Sequence, residues 1–256
     1  MRRIALLTDF GTRDPYVASV RGVLASRCDA RVDDLTHEIA PFDIFEAAWF
    51  LKIAAPWWPA ETIFVCVIDP GVGTPRRILA AEGDGKFFLA PDNGLLTLIA
   101  PERMVSVENT SFFVETGATT FHGRDRFAPV AAAIANGTRL EELGPAVTDA
   151  KRLDYTPPVY ENDRVTGTIV HIDRFGNVIT DIARAKIPFE RFALRVQYAT
   201  IKDLRTDYSG GHEPFLIVGS HGTVEISLGS ASAADMLRLK RGEKVEITRD
   251  HRGTPL

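Results

Sequence analysis

The feature that most constrains this chain is a change of pattern just beyond Gly144. Before it, short apolar runs alternate with stretches at helical spacing. After it, Pro145, Pro157 and Pro158 punctuate a polar stretch, and no helix of three turns is expected before the C-terminus. A chain of this kind folds as two dissimilar pieces, an α/β unit followed by an antiparallel β unit. The expected division is 1–144, a linker over 145–163, and 164–256. The length of 256 residues agrees, since about 150 residues per domain gives one or two domains.

In the first part, Ile4–Leu7 reads as a buried strand and Tyr16–Cys28 as a helix with Val17, Val20, Val23 and Leu24 on one face. Arg31–Leu35 is a short strand, and Ile44–Ala55 a second helix that Asp43 is placed to cap. Thr62–Ile68 is apolar on both faces, as a central parallel strand should be. Ile78–Ala81 and Lys86–Ala90 flank the hairpin signal Asp84-Gly85, and the Ala-rich helix 128–135 stops at Asn136-Gly137. In the second part Arg164–Ile172, Val178–Ile182, Phe192–Gln197, Phe215–Val218, Thr223–Leu228 and Lys244–Thr248 read as strands.

Composition narrows the partners. With 45% hydrophobic residues the chain can bury a core, and Lys+Arg 30 against Asp+Glu 34 leaves no basic excess for a nucleic-acid surface. The most apolar window, Ile44 to Pro59, is broken by Glu46, Lys52 and Pro56, so no membrane span is expected. The N-terminus lacks a signal-peptide core, and Cys28 and Cys66 stand alone without CxxC spacing, which fits a reducing cytoplasm.

Acidic residues recur directly after expected strands: Asp9, Asp69 in Asp69-Pro70-Gly71-Val72-Gly73, and Asp92 in Pro91-Asp92-Asn93-Gly94. At the carboxyl edge of an open α/β sheet such residues face the ligand crevice; beside glycine they are also ordinary turn formers. A further cluster, Phe121-His122-Gly123-Arg124-Asp125, precedes the Ala-rich helix, and Arg76 and Arg77 follow Asp69 closely enough to turn back toward it. Gly71-Val72-Gly73-Thr74-Pro75-Arg76 fails as a dinucleotide loop, because Arg76 replaces the third glycine. Walker A, HExxH, paired cysteines and a nucleophile elbow are absent from the sequence. A divalent-metal hydrolase using Asp9, Asp14, Asp92 and Asp125 is the alternative that carboxylates alone would allow.

Taken in order, Thr8-Asp9-Phe10-Gly11, Asp34-Leu35-Thr36-His37-Glu38, Asp69-Pro70-Gly71-Val72-Gly73, Pro91-Asp92-Asn93-Gly94, Phe121-His122-Gly123-Arg124-Asp125 and Phe175-Gly176-Asn177-Val178 resemble the S-adenosyl-L-methionine (SAM) hydroxide adenosyltransferases, relatives of the SAM-dependent halogenating enzymes. The resemblance implies a Rossmann-like α/β domain with a mainly parallel sheet and a smaller antiparallel β-barrel-like domain. It implies attack of water or hydroxide on C5′ of SAM to give adenosine and L-methionine, with no cofactor and no metal. Asp69, Arg76 and His122 become the catalytic group, Arg76 holding the nucleophilic oxygen and either Asp69 or His122 taking its proton. Asp69 and His122 stand where the halogenating relatives carry tyrosine, which favours water over halide.

For substrate binding, the resemblance assigns Asp9 to the ribose hydroxyls, Asp14 to the methionine amino group, Phe175, Asn177 and Tyr208 to the adenine ring, and Ser220 to the methionine carboxylate. Phe175 and Tyr208 read equally well as β-domain core. Asp181, Gly219 and His221 depart from the family pattern around these assignments. A homotrimer with sites at subunit interfaces is implied, as is a cytoplasmic location. A SAM or adenosine sensor without turnover and a halide-using enzyme are the competing readings.

Overall fold

A computed structural model describes residues 2–250, which divide into two compact units at Asp154/Tyr155. In the first, the strands are β1 (Arg3–Thr8), β2 (Arg31–Thr36), β3 (Ile63–Val67), β4 (Ile78–Gly83), β5 (Lys86–Pro91) and β6 (Arg103–Ser106). The helices are α1 (Tyr16–Arg27), α2 (Ile44–Ala54), α3 (Ala128–Ala135) and the single turn α4 (Leu140–Leu143). The sheet order is β2-β1-β3-β5-β4-β6. β2, β1, β3 and β5 run parallel, and β4 is antiparallel to both its neighbours.

The alternation within β1 explains why both sheet faces are covered. Ile4 and Leu6 join the core with α1 and α3, while Ala5 and Leu7 join the core on the α2 side. Asp43 caps α2 as expected, accepting from the Glu46 N–H at 2.9 Å. The chain leaves β1 for β2 on one side and reaches β3 on the other. The gap between the carboxyl ends of β1 and β3 is therefore a topological switch point, where open α/β sheets bind ligands.

The second unit holds β7 (Val159–Tyr160), β8 (Arg164–Ile172), β9 (Val178–Ala183), β10 (Phe192–Val196), β11 (Ala199–Ile201), β12 (Leu204–Arg205), β13 (Phe215–Val218), β14 (Thr223–Ser227) and β15 (Lys244–Arg249), with one short helix, α5 (Ala233–Leu237). They form one curled sheet, β11-β10-β15-β8-β9-β14-β13-β12, with β7 beside β8. All pairings are antiparallel except β12 with β13, which is parallel. That two-residue pair is the one parallel exception among these pairings, and the unit is otherwise antiparallel as expected. The stretch 145–163, expected as a linker, is shared between the units: the Lys151 N–H bonds Asp92, the Leu153 N–H bonds Thr97, and Tyr160 pairs with Val165. Among the described residues no helix is long and apolar enough to cross a membrane.

Candidate active site

Asp69 lies just past the end of β3, and a run of turns folds the chain back on itself. The Val72 N–H bonds the Asp69 carbonyl at 3.1 Å, the Thr74 N–H bonds the Gly71 carbonyl at 3.1 Å, and the Thr74 hydroxyl donates to that same carbonyl at 2.7 Å. The return is tight enough that a Cβ on Gly71 would lie in van der Waals contact with Arg76 Cγ, at 3.4 Å, and near Asp69 Oδ1, at 3.7 Å. Arg76 is delivered onto Asp69: its Nε donates to Oδ1 at 2.7 Å and its Nη2 to Oδ2. The pair is buried, with side-chain exposures of 6% and 5%. A buried ion pair of this kind contributes little net stability, because desolvating both charges offsets their attraction. Chemistry is the better reason for its presence.

The same Nη2 donates to His122 Nδ1 at 2.8 Å. A guanidinium has no acceptor, so Nδ1 is the unprotonated nitrogen and the ring proton sits on Nε2. Burial, and then the positive charges of Arg126 and Arg76, hold the His122 pKa down to about 4, so the ring is neutral at physiological pH. His122 Nε2 and Arg76 Nη1 are both buried without a hydrogen-bond partner. Two unspent donors beside a carboxylate are suited to fixing an oxygen atom. His122 enters a π-helical turn over Gly123–Phe127, a distortion frequent at functional sites.

His122 and Asp69 line a cavity of about 480 Å³ at the switch point, together with Asp9, Phe10, Tyr16 and Phe42. Asp9 Oδ2 accepts the Phe42 N–H at 2.9 Å, and burial raises the Asp9 pKa. Phe42 is held at φ 69°, a strained conformation for a bulky residue, with its ring exposed at the rim. Phe10, Tyr16 and Phe121 pack edge-on or tilted at centroid distances of 5.3 to 6.1 Å. Sequence reasoning missed this aromatic wall, because single aromatics spread over a hundred residues carry no shared signal. The Asp34-Leu35-Thr36-His37 block meets the end of β1: His37 Nδ1 is 2.8 Å from the Thr8 hydroxyl and Nε2 is 3.1 Å from Asp34.

Other sequence candidates are placed elsewhere. Arg77 turns away from Asp69 to Asp92 and Asp149, at 2.7 Å each. Asp92 also accepts the Lys151 N–H, and Asp125 is held by Arg124 and Thr116. The four carboxylates of the metal alternative are thus not gathered; among the described residues no group of His, Cys, Asp or Glu is arranged to hold a metal. Asp14 is exposed and is not among the residues lining the cavity.

The second unit has its own cavity of about 580 Å³, lined by Phe175, Asn177 and Tyr208 with Asp173 and Leu228. Phe175 is 77% exposed and Tyr208 49%, so neither is core. Ser220 is exposed and does not line this cavity. Asp181 accepts from the Thr168 N–H and the Tyr155 hydroxyl, a structural task inside the sheet. A Cβ on Gly219 would fall 1.6 Å from Glu225 Oε1, so a side chain there would have to displace the Glu225 carboxylate. Glu225, in turn, is buried, and burial with the charge of Asp173 pushes its pKa up to about 7.

A switch-point crevice with a buried Asp–Arg–His group, in a chain that adds a curled antiparallel sheet, defines an α/β enzyme with an appended β unit. Residues 4–144 match the SAM hydroxide adenosyltransferase N-terminal domain and residues 167–246 its C-terminal domain. The chain belongs to that family. It is 35% identical to the (R)-S-adenosyl-L-methionine hydrolase of Thermus thermophilus, over 96% of this chain and 100% of that one. It is 37% identical to the hydrolase of the same name from Salinispora tropica, over 96% and 97%. A fluorinase from Actinopolyspora mzabensis is 27% identical over 96% and 97%. Among solved structures, an uncharacterized conserved protein from Thermotoga maritima superposes with a TM-score of 0.89 at 32% identity, covering 96% of this chain and 100% of that one.

Proposed function

We propose that this protein hydrolyses S-adenosyl-L-methionine to adenosine and L-methionine. The observation that carries the proposal is the buried Asp69–Arg76–His122 group with its two unspent donors at the switch-point cavity. In the reaction, a water oxygen bonds to C5′ while the C5′–S bond breaks. The bonding pair goes to sulfur, which leaves as a neutral thioether, so no acid is needed at the leaving group. The remaining demand is to hold the water in line and take its proton. Arg76 Nη1 and His122 Nε2–H are suited to holding it. The tautomer supports Asp69 rather than His122 as the proton acceptor, because His122 has no free lone pair once Nδ1 is bonded to Arg76.

Asp9, at the same cavity, keeps Oδ1 for the vicinal ribose hydroxyls. Phe175, Asn177 and Tyr208 suit a purine ring. Asp14 and Ser220 remain proposed methionine contacts, resting on family pattern alone. No cofactor or metal is assigned a step. A homotrimer with sites at subunit interfaces belongs to the same proposal, as does a cytoplasmic location; in support, groups suited to water and ribose and groups suited to a base sit in separate units.

The test is chromatography of products from each sulfonium epimer of SAM, since the relatives are named for the (R) form. Adenosine and methionine are expected. 5′-Chloroadenosine in chloride buffer would support the halide reading, loss of turnover in EDTA the metal reading, and intact SAM the sensor reading.

A further inference from the structure

The cavity of the second unit contains one side chain whose orientation is imposed by a neighbour. Asp173, just past β8, accepts the backbone N–H groups of Phe175 and Asn177 at Oδ1, both at 2.9 Å, and Asn177 Nδ2 at Oδ2 at 2.8 Å. The backbone closes the same loop, through the Asp173 N–H to the Asn177 carbonyl at 3.1 Å. Gly176 at its centre is at φ 81°, and a Cβ there would meet Ser232 Oγ at 2.1 Å, so the loop has one compact form. Within it, turning the Asn177 amide over would set its oxygen against the Asp173 oxygen and break the bond. Nδ2 is therefore pinned toward Asp173. Asn177 Oδ1, on a residue only 7% exposed that lines the cavity, accepts from no donor among the described residues.

The two polar edges of adenine each place the 6-amino donor beside a ring-nitrogen acceptor, whereas a 6-oxopurine presents an acceptor at that carbon. An amide with its oxygen free and one Nδ2 hydrogen to spare matches the first pattern and opposes the second. We infer that Asp173 is a positioning residue for base selectivity: by fixing the Asn177 amide with its carbonyl oxygen toward the ligand, it makes this cavity accept 6-aminopurine nucleosides and reject 6-oxopurine ones. The inference rests on the reading of the cavity as the site of the purine ring. Tyr208 lines the same cavity, and burial, then the charges of Glu225 and Asp173, raise its pKa, so its hydroxyl stays protonated.

The experiment is calorimetric titration of the full chain with adenosine, purine riboside, which has only hydrogen at C6, and inosine. Adenosine should bind at least about tenfold more tightly than purine riboside, as one hydrogen bond to a buried acceptor implies, and inosine should bind more weakly than purine riboside. In Asp173→Asn the new amide can donate as well as accept, so Asn177 is free to turn, and the adenosine-to-inosine ratio should fall toward one. Inosine binding as well as or better than purine riboside to the unaltered protein would overturn the inference, whatever the variant does. So would an Asp173→Asn protein that is folded by circular dichroism and keeps the original ratio. Binding of none of the three nucleosides would remove the purine-site reading and this inference with it, whereas binding in the wrong order removes the inference alone.

Discussion

Arg76 is the residue on which the site turns, because a planar guanidinium can bond Asp69 with two nitrogens, reach His122 and still keep Nη1. In Arg76→Lys a single ammonium cannot make this set of bonds. Turnover should fall by about a hundredfold or more while KM changes far less, read from steady-state kinetics on SAM. Unchanged turnover would move the chemistry away from this group. His122 makes a separate prediction about pH. Its folded pKa of about 4 lies below the ordinary histidine value, so between about 6.5 and 4 the unfolded chain binds a proton that the folded chain refuses. This group therefore costs stability on acidification through that window and nothing above it. Denaturant titrations at pH 7 and pH 4.5 should show a smaller loss for His122→Gln than for the parent. The pH–rate profile should carry no limb from His122 between pH 6 and 8; a limb there that His122→Gln abolishes would restore His122 as the base.

At the scale of elements, identical-looking motifs have different tasks. Asp9, Asp69 and Asp92 each follow a parallel strand, yet only the ends of β1 and β3 flank the switch point. Asp92 follows β5, where Arg77 and the Lys151 N–H take its carboxylate, and Asn93 ties the Ile68 carbonyl to the Leu95 N–H. Here the turn-former reading holds, and the motif serves packing. Gly94 is the clearest case: at φ 100°, its missing Cβ would stand 2.9 Å from the Leu153 N. Gly94→Ala should lower unfolding free energy by about 1–3 kcal/mol from the left-handed backbone alone, with more from displacing residues 152 and 153. Thermal melts of the two proteins would check this, and an unchanged midpoint would mean that neither the left-handed backbone at Gly94 nor its contact with residues 152 and 153 limits stability.

For the whole molecule, the proposed trimer predicts complementation. Mixed oligomers of Asp69→Ala and Asn177→Ala chains should recover activity that neither variant has alone, because some sites would draw both intact halves from different chains; its complete absence in verified mixed oligomers would mean that each chain builds its own site. The alternating elements of the first unit, the hairpin at Asp84-Gly85, the Asp43 cap and most strands of the second unit were legible in the sequence. Periodicity, caps and turn residues act over a few neighbours, and that range is written locally. The ordered motif blocks likewise marked the family and singled out Asp69, Arg76 and His122, which the fold brings into one hydrogen-bonded group. Tertiary structure alone decided which carboxylate met which partner, since Arg76 and His122 are 46 residues apart and Arg77 and Asp149 are 72. Strand order, the parallel β12–β13 pair, the aromatic wall over Asp9 and the pinned amide of Asn177 belong to the same class. Such contacts depend on which strand ends lie side by side after the sheets have formed, and no short window of residues contains that information.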